Sequence, residues 1–284
     1  MNKIKCRYCK SENTVKRGLT HNKKQRHLCK DCKKTFIEDN GFYKMKNSPE
    51  LITMAIDMYI SNLSSRKMRN QIKRHSLGNV SHQTILSWVR KYIIRVNDFI
   101  TTLEPKLSGK IYADETEIKR GKKNDIFWCS VDWETRYINA TLYSNKNQNM
   151  KDAVSFMNKI RKSGKVDYVQ TDALMMYPTA FKKAFKYHPR RNNKVEHKVN
   201  NVSKTKKHNV RIETVFSKIK DRVEDFRSLK ALWSAPIMML GLVIQHNFIE
   251  RHCSINTYPC ELAGINLDLG VNRWLGLIKL SCCS

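Results

Sequence analysis

Four cysteines near the start of the chain constrain its fold more than any other feature. Residues 6–32 read CRYCKSENTVKRGLTHNKKQRHLCKDC: Cys6 and Cys9 form one C-x-x-C pair, Cys29 and Cys32 a second, with 19 residues between the pairs. In that spacing two tight turns each aim two sulfurs at one tetrahedral ion, and the TVKRG and QRHLC segments between them can pair as a short hairpin. A piece this small buries too little apolar surface to fold alone, so a four-thiolate Zn²⁺ site is expected to supply much of its folding energy. With four thiolates the site is closed, hence structural and not catalytic. His21 and His27 are read as surface residues.

Charge narrows the partner. The chain has 54 Lys and Arg against 25 Asp and Glu in 284 residues, a formal charge of +29. Residues 1–46 alone hold 14 basic and 4 acidic side chains. Clustered cations of this kind release condensed counterions from a polyanion, which points to double-stranded DNA ahead of anionic lipid. The opening MNKIKCRYCK has no apolar stretch, and the longest apolar segment, residues 236–249, is too short to cross a bilayer. No membrane association is therefore expected, and the expected location is cytoplasmic and nucleoid-associated. Nine cysteines in such a chain argue for thiols and metal rather than disulfides.

Residues 47–104 turn helical. SPELITMAIDMYI has a serine cap, Pro49 in the first turn and apolar residues at helical spacing. SSRKMRNQIKRHS predicts a second short helix. After an LGN turn, Ser81 caps a third, whose stripe of Ile85, Trp88, Val89, Tyr92, Ile93 and Val96 faces a core. Three such helices describe a helix-turn-helix, with His82, Gln83 and Ser87 at the start of the last helix as candidate base readers. A plain helical linker or a dimerisation bundle fits the same periodicity.

Residues 105–284 change rhythm again. IYADETEIK, DIFWCSVDWE and YINATLYS read as three strands, MKDAVSFMNKIRKSG as a helix, VDYVQTDA as a buried strand, and YPTAFKKAF and VRIETVFSKIKDRVEDF as further helices. The expected fold is an α/β ribonuclease-H-like catalytic domain, preceded by the small zinc ribbon and the all-α helix-turn-helix module. A basic stretch from Lys182 to Arg211, which includes Lys206 and Lys207, has 11 basic residues and one acid, Glu196, and is expected to contact DNA.

In a chain this poor in acids, three stand out by position. Asp114 lies in the first of these strands, Asp172 ends the fourth, and Glu213 lies in the late helix, opposite an apolar stripe of Ile212, Val215, Ile219 and Val223. Taken alone, Glu213 reads equally as a solvated acid paired with Lys220. Carboxylates gathered together repel unless cations neutralise them, and hard oxygen donors suit Mg²⁺ or Mn²⁺. Two such ions can serve both the attacking and the leaving oxygen of a phosphodiester. Glu115 and Glu117, on the opposite strand face from Asp114, are read as a bystander and a solvated acid.

On these motifs the chain resembles a DDE-type insertion-sequence transposase over most of its length. CRYC…CKDC resembles the family's zinc ribbon, VSHQTILSWVRKY its helix-turn-helix, YADETEIK its first Asp motif, VQTDALMMYPTAF its second, and NVRIETVFSKIKDR its Glu helix. The resemblance implies Asp114, Asp172 and Glu213 as metal ligands, with Lys220 seven positions after the Glu. It also implies DNA cleavage and strand transfer at the element's terminal repeats, without a covalent enzyme intermediate, by a homo-oligomer holding two ends. The 41 positions from Asp172 to Glu213 exceed the spacing of close relatives, which keeps Glu196 and Glu224 as rival third ligands; Asp132 and Asp167 are rival sheet acids. A DNA-binding regulator without catalysis and a ribonuclease-H-like nuclease are the other classes that these features admit.

Overall fold

The computed structural model describes residues 4–21, 25–38, 40–145, 148–186, 195–200, 210–225 and 231–282, without the side chains of residues 210, 211 and 225. Lys206 and Lys207, and the Arg211 side chain, lie outside the described residues.

The amino-terminal module is a three-stranded antiparallel sheet of β1 (Thr14–Leu19), β2 (Gln25–Cys29) and β3 (Thr35–Ile37). Thr14 pairs with Cys29 and Leu19 with Gln25, so the expected hairpin forms. The module's core consists of Cys6, Cys29 and Phe36, with Ile4 and Cys32 against it. His27 corrects one expectation. It is buried, with its ring 5.8 Å from that of Phe36, because the alternation of β2 turns it to the same side as Cys29.

Three helices follow: α1 (Pro49–Ile60), α2 (Ser65–Arg74) and α3 (His82–Ile100). Each starts at a serine whose hydroxyl accepts an amide of the first turn, Ser48 from Leu51 at 3.2 Å, Ser64 from Lys67 at 3.3 Å and Ser81 from Thr84 at 3.1 Å. Such caps contribute about 1 kcal/mol each and explain why the helices begin where they do.

The next unit is a five-stranded mixed sheet in the order β6-β5-β4-β7-β8. Strands β4 (Lys110–Arg120), β5 (Lys123–Asp132) and β6 (Ile138–Ser144) form an antiparallel meander, while β7 (Tyr168–Thr171) and β8 (Glu196–Val199) run parallel to β4. Helices α4 (Met150–Lys162) and α5 (Met176–Phe185) cover one face of the sheet: Trp128 on β5 meets Phe156 of α4 and Tyr177 of α5, with ring centroids 5.7 and 5.8 Å away. Helix α6 (Val210–Asp225) packs on β4 and β5 from the other. This is the ribonuclease-H-like architecture that the strand and helix pattern predicts.

The carboxyl-terminal segment returns to the first helices. Helix α7 (Ser234–Ile244) continues into a π-turn (Gln245–Ile249) and packs on α3, so the apolar run near residue 240 is core. After the short α8 (Pro259–Leu262), α9 (Arg273–Leu280) lies against α1 and α3. Trp274 Nε1 donates to Asp57 Oδ1 at 3.1 Å, and Asn272 Nδ2 to Thr53 Oγ1 at 2.9 Å. One contiguous apolar core therefore runs from Phe42 through the sheet to Ile278. Arg222 of α6, buried in it, donates to the Tyr59 carbonyl at the end of α1. Among the described residues no helix is long and apolar enough to cross a membrane.

Candidate active site and metal centre

The parallel pairing of β4 with β7 decides which acids meet. Tyr112 is in register with Gln170, so Asp114 and Asp172, each two residues further on, emerge side by side at the carboxyl end of β7. Asp114 pairs across β5 with Cys129, whereas its neighbour Glu115 pairs with Trp128. Paired residues share a face. Trp128 faces α4 and α5, so Asp114 must face α6, which carries Glu213 and Lys220.

The electrostatics agree with that placement. Burial pushes the Asp114 carboxyl up to about 7; the Glu115 amide, which donates to Asp114 Oδ1 at 2.9 Å, and Lys220 oppose the shift, while Asp172 and Glu213 add to it. Asp172 is half-buried, and its Oδ1 accepts the Leu174 amide at 3.0 Å in the turn leading to α5. Glu213 and Lys220 are exposed on α6. Seven residues apart, they are about 10 Å apart along the axis and on the same side of the helix. Asp172, Glu213 and Lys220 thus all lie within electrostatic reach of Asp114.

The rival acids lie elsewhere. Glu196 starts β8 opposite Tyr168, three residues and about 10 Å before the strand end where Asp172 emerges. Glu224 is eleven residues beyond Glu213, about 16 Å along α6. Asp132 is buried at the other end of β4 and β5, where it accepts Ser108 Oγ at 2.7 Å and Thr135 Oγ1 at 2.8 Å. Asp167 is exposed and paired with Lys165 at 3.0 Å.

Sequence reasoning passed over Glu115. It does face away from Asp114, but what lies on that face is protein: it is half-buried and accepts the Tyr177 hydroxyl and Gln148 Nε2, the latter at 2.7 Å. Burial pushes Glu115 up to about 7; the Tyr177 hydrogen bond opposes this, and Asp114 and Asp172 reinforce it. A tyrosine on the inward face of the helix that follows Asp172 was the available signal, since a buried hydroxyl requires an acceptor.

At the other end of the chain the Sγ atoms of Cys6, Cys9, Cys29 and Cys32 all lie within 4.8 Å of one another. Cys6 and Cys32 are 3.6 Å apart, Cys9 and Cys29 3.5 Å. Although burial disfavours its thiolate, the amides of Cys9 and Tyr8 bring Cys6 down to about 6. The Ser11 amide favours the Cys9 thiolate, but burial and three neighbouring sulfurs outweigh it and raise Cys9 to about 12. Four crowded thiols cannot all ionise without a cation among them, and the donor set fits zinc.

On α3, Gln83 and Ser87 are exposed and His82 is half-buried. Ser87 Oγ donates to the Thr84 carbonyl at 2.8 Å, so its hydroxyl is already engaged with its own helix.

The IS240 family model, described as a DDE domain, matches residues 108–252. A protein of Halobacterium salinarum (strain ATCC 700922 / JCM 11081 / NRC-1), described as an uncharacterized protein in transposable element ISH50, is 28% identical over 125 residues. The alignment covers 43% of this chain and 39% of that relative, so the chain spans well under half of the relative's length. Among solved structures, the HTLV-2 integrase catalytic core domain in complex with magnesium is similar in its trimeric form at 14% identity and a TM-score of 0.40, over 57% of this chain and 98% of that one. Its dimeric form gives 13% and 0.41, over 57% and 97%.

Proposed function

Since the chain belongs to the IS240 DDE-domain family of transposases, we propose that it binds the terminal repeats of an insertion sequence and catalyses divalent-metal-dependent strand cleavage and strand transfer. The observation that carries this reading is the parallel register that sets Asp114 beside Asp172, with Glu213 and Lys220 near enough to act on the half-buried Asp114, whose carboxyl is pushed up first by burial and then by the two acids.

A cluster of mutually repelling carboxylates with hard oxygen donors fits Mg²⁺ or Mn²⁺, and Asp114, Asp172 and Glu213 are the residues that would hold the ions. When bound, such ions supply Lewis-acid activation of an attacking oxygen and charge neutralisation at the phosphodiester. The protein's own groups hold the geometry. The Glu115 and Leu174 amides orient Asp114 and Asp172, and Lys220, on the Glu213 side of α6, pairs with a phosphate oxygen of the bound strand.

The three modules, residues 1–46, 47–104 and 105–284, divide the work. The zinc ribbon and the helix-turn-helix read the DNA ends, with His82, Gln83 and Ser87 towards the bases, while Lys206, Lys207 and Arg211 bind phosphates beside the catalytic domain. Element ends and target DNA are the substrates, and a homo-oligomer holds two ends together at the nucleoid.

The test is a plasmid carrying the reading frame with its flanking DNA, incubated with purified protein and Mg²⁺. Nicking and joining at the flanks are expected from the wild type and are lost in Asp114→Asn, Asp172→Asn and Glu213→Gln, each of which still shifts the DNA in a binding assay. Cleavage that survives any one of these substitutions removes that residue from the triad.

A further inference from the structure

Glu115 stands where an uncharged residue would be easier to accommodate. It is half-buried on the face of β4 that α4 and α5 cover, one strand from Trp128. Removing a carboxylate from water is costly unless hydrogen bonds compensate for it. Two do so: the Tyr177 hydroxyl and Gln148 Nε2 both donate to it. The Glu115 main chain continues the connection, because its N–H donates to Asp114 Oδ1 at 2.9 Å.

Helix α5 therefore holds both aspartates. Its leading turn donates the Leu174 amide to Asp172, and Tyr177, three residues further on, grips Glu115 and through it the amide on Asp114. We propose that Glu115 is a positioning residue, held by Tyr177 and Gln148 so that its backbone amide orients the Asp114 carboxylate towards Asp172. This rests on the assignment of the two aspartates as metal ligands. Residues that orient ligands in this way typically change metal affinity or activity by about 10- to 100-fold when removed.

The experiment measures Mn²⁺ binding to the protein–DNA complex by electron paramagnetic resonance, beside the Mg²⁺ dependence of cleavage and a thermal melt. Tyr177→Phe, which removes one oxygen, and Glu115→Ala are expected to raise the half-saturating Mn²⁺ concentration by about 10-fold. Glu115→Gln keeps one oxygen to accept the Tyr177 hydroxyl, and its NH2 can donate to the Gln148 side chain once that amide turns its oxygen inward, so this variant stays close to wild type. The double variant Glu115→Ala/Tyr177→Phe is no worse than Glu115→Ala alone, because Tyr177 acts through Glu115. Should Tyr177→Phe melt early, Gln148→Ala removes the other hydrogen bond and is expected to shift Mn²⁺ binding in the same direction by a smaller factor.

A folded Tyr177→Phe with unchanged Mn²⁺ affinity overturns the inference. So does a Glu115→Gln protein as impaired as Glu115→Ala, since charge and not position would then be the agent. Asp114→Asn separates the two levels. If it still cleaves, the triad assignment fails; if it is inactive while Tyr177→Phe is unaffected, only the role of Glu115 falls.

Discussion

At the scale of single residues, position in the sheet decides which of the chain's few carboxylates lie close together. Asp114 and Asp172 are neighbours because β4 and β7 are parallel and in register, and Glu213 reaches them because α6 crosses the face that Asp114 shares with Cys129. Glu213→Gln is accordingly expected to lower strand cleavage by on the order of 10³ or more, about 4 kcal/mol of transition-state stabilisation. Glu196→Gln and Glu224→Gln should cleave like the wild type, and a steady-state assay on one DNA substrate distinguishes the three. Which strand or helix carries each of these acids was legible in the sequence, because the elements have clear apolar patterns. The role of Glu115 was not. Strand alternation correctly assigns it to the face opposite Asp114, but whether that face meets solvent or helices depends on where α4 and α5 pack.

At the scale of elements, the helices with serine caps and the long strands β4, β5 and β6 were legible, whereas β8 and α9 were not. Strand β8 has four residues, Glu196–Val199, and no alternation of apolar and polar side chains; only pairing with β7 makes it a strand. Helix α9 begins at Asn272, whose side chain accepts the Leu275 amide at 3.0 Å, and its burial against α1 and α3 depends on partners some 200 residues earlier. Gly276 shows how closely it packs, because a Cβ there would lie 2.4 Å from the Leu269 carbonyl oxygen and 2.6 Å from its Cα. Alanine favours a helix interior over glycine by up to about 1 kcal/mol. Gly276→Ala is nevertheless expected to destabilise the protein by about 1–3 kcal/mol in urea unfolding, since backbone cannot move aside as a side chain can.

The π-turn after α7 carries a pH-dependent contribution to stability. Loss of surrounding water brings His246 down to about 4, despite its 2.8 Å hydrogen bond to the Arg136 carbonyl. Its ordinary value is about 6.5, so between pH 6.5 and 4 the unfolded chain binds the extra proton. Stability from neutral His246 is fully present above pH 6.5 and falls as pH drops towards 4. In His246→Gln, the melting temperature should depend less on pH in that window, and an unchanged slope would contradict the assignment.

At the scale of the whole molecule, the described residues form two separate apolar clusters, which imply two folding units of unequal independence. Among the described residues the amino-terminal sheet has Cys6, Cys29 and Phe36 buried at its centre, whereas the helices of residues 49–100 share one core with the five-stranded sheet and with α7 and α9. Chelation is therefore expected to unfold roughly the first 40 residues and leave the remainder intact. Limited proteolysis and metal analysis, with one zinc per chain before treatment, check this. Arg222, reaching from α6 to the Tyr59 carbonyl at the end of α1, joins those two helices inside that shared core. The formal charge of +29 predicts DNA binding that weakens steeply as salt rises, and a titration of affinity against salt gives the slope.

The proposed chemistry requires that Asp114, Asp172 and Glu213 together hold the divalent ions that serve DNA strand cleavage. Crystals of the protein bound to DNA and soaked in Mn²⁺ test it most directly through the metal's anomalous scattering. Anomalous peaks bounded by these three carboxylates, and lost in Asp172→Asn, are the predicted result. A fully bound complex with no peak among them, or with manganese held by other acids, would rule out this triad.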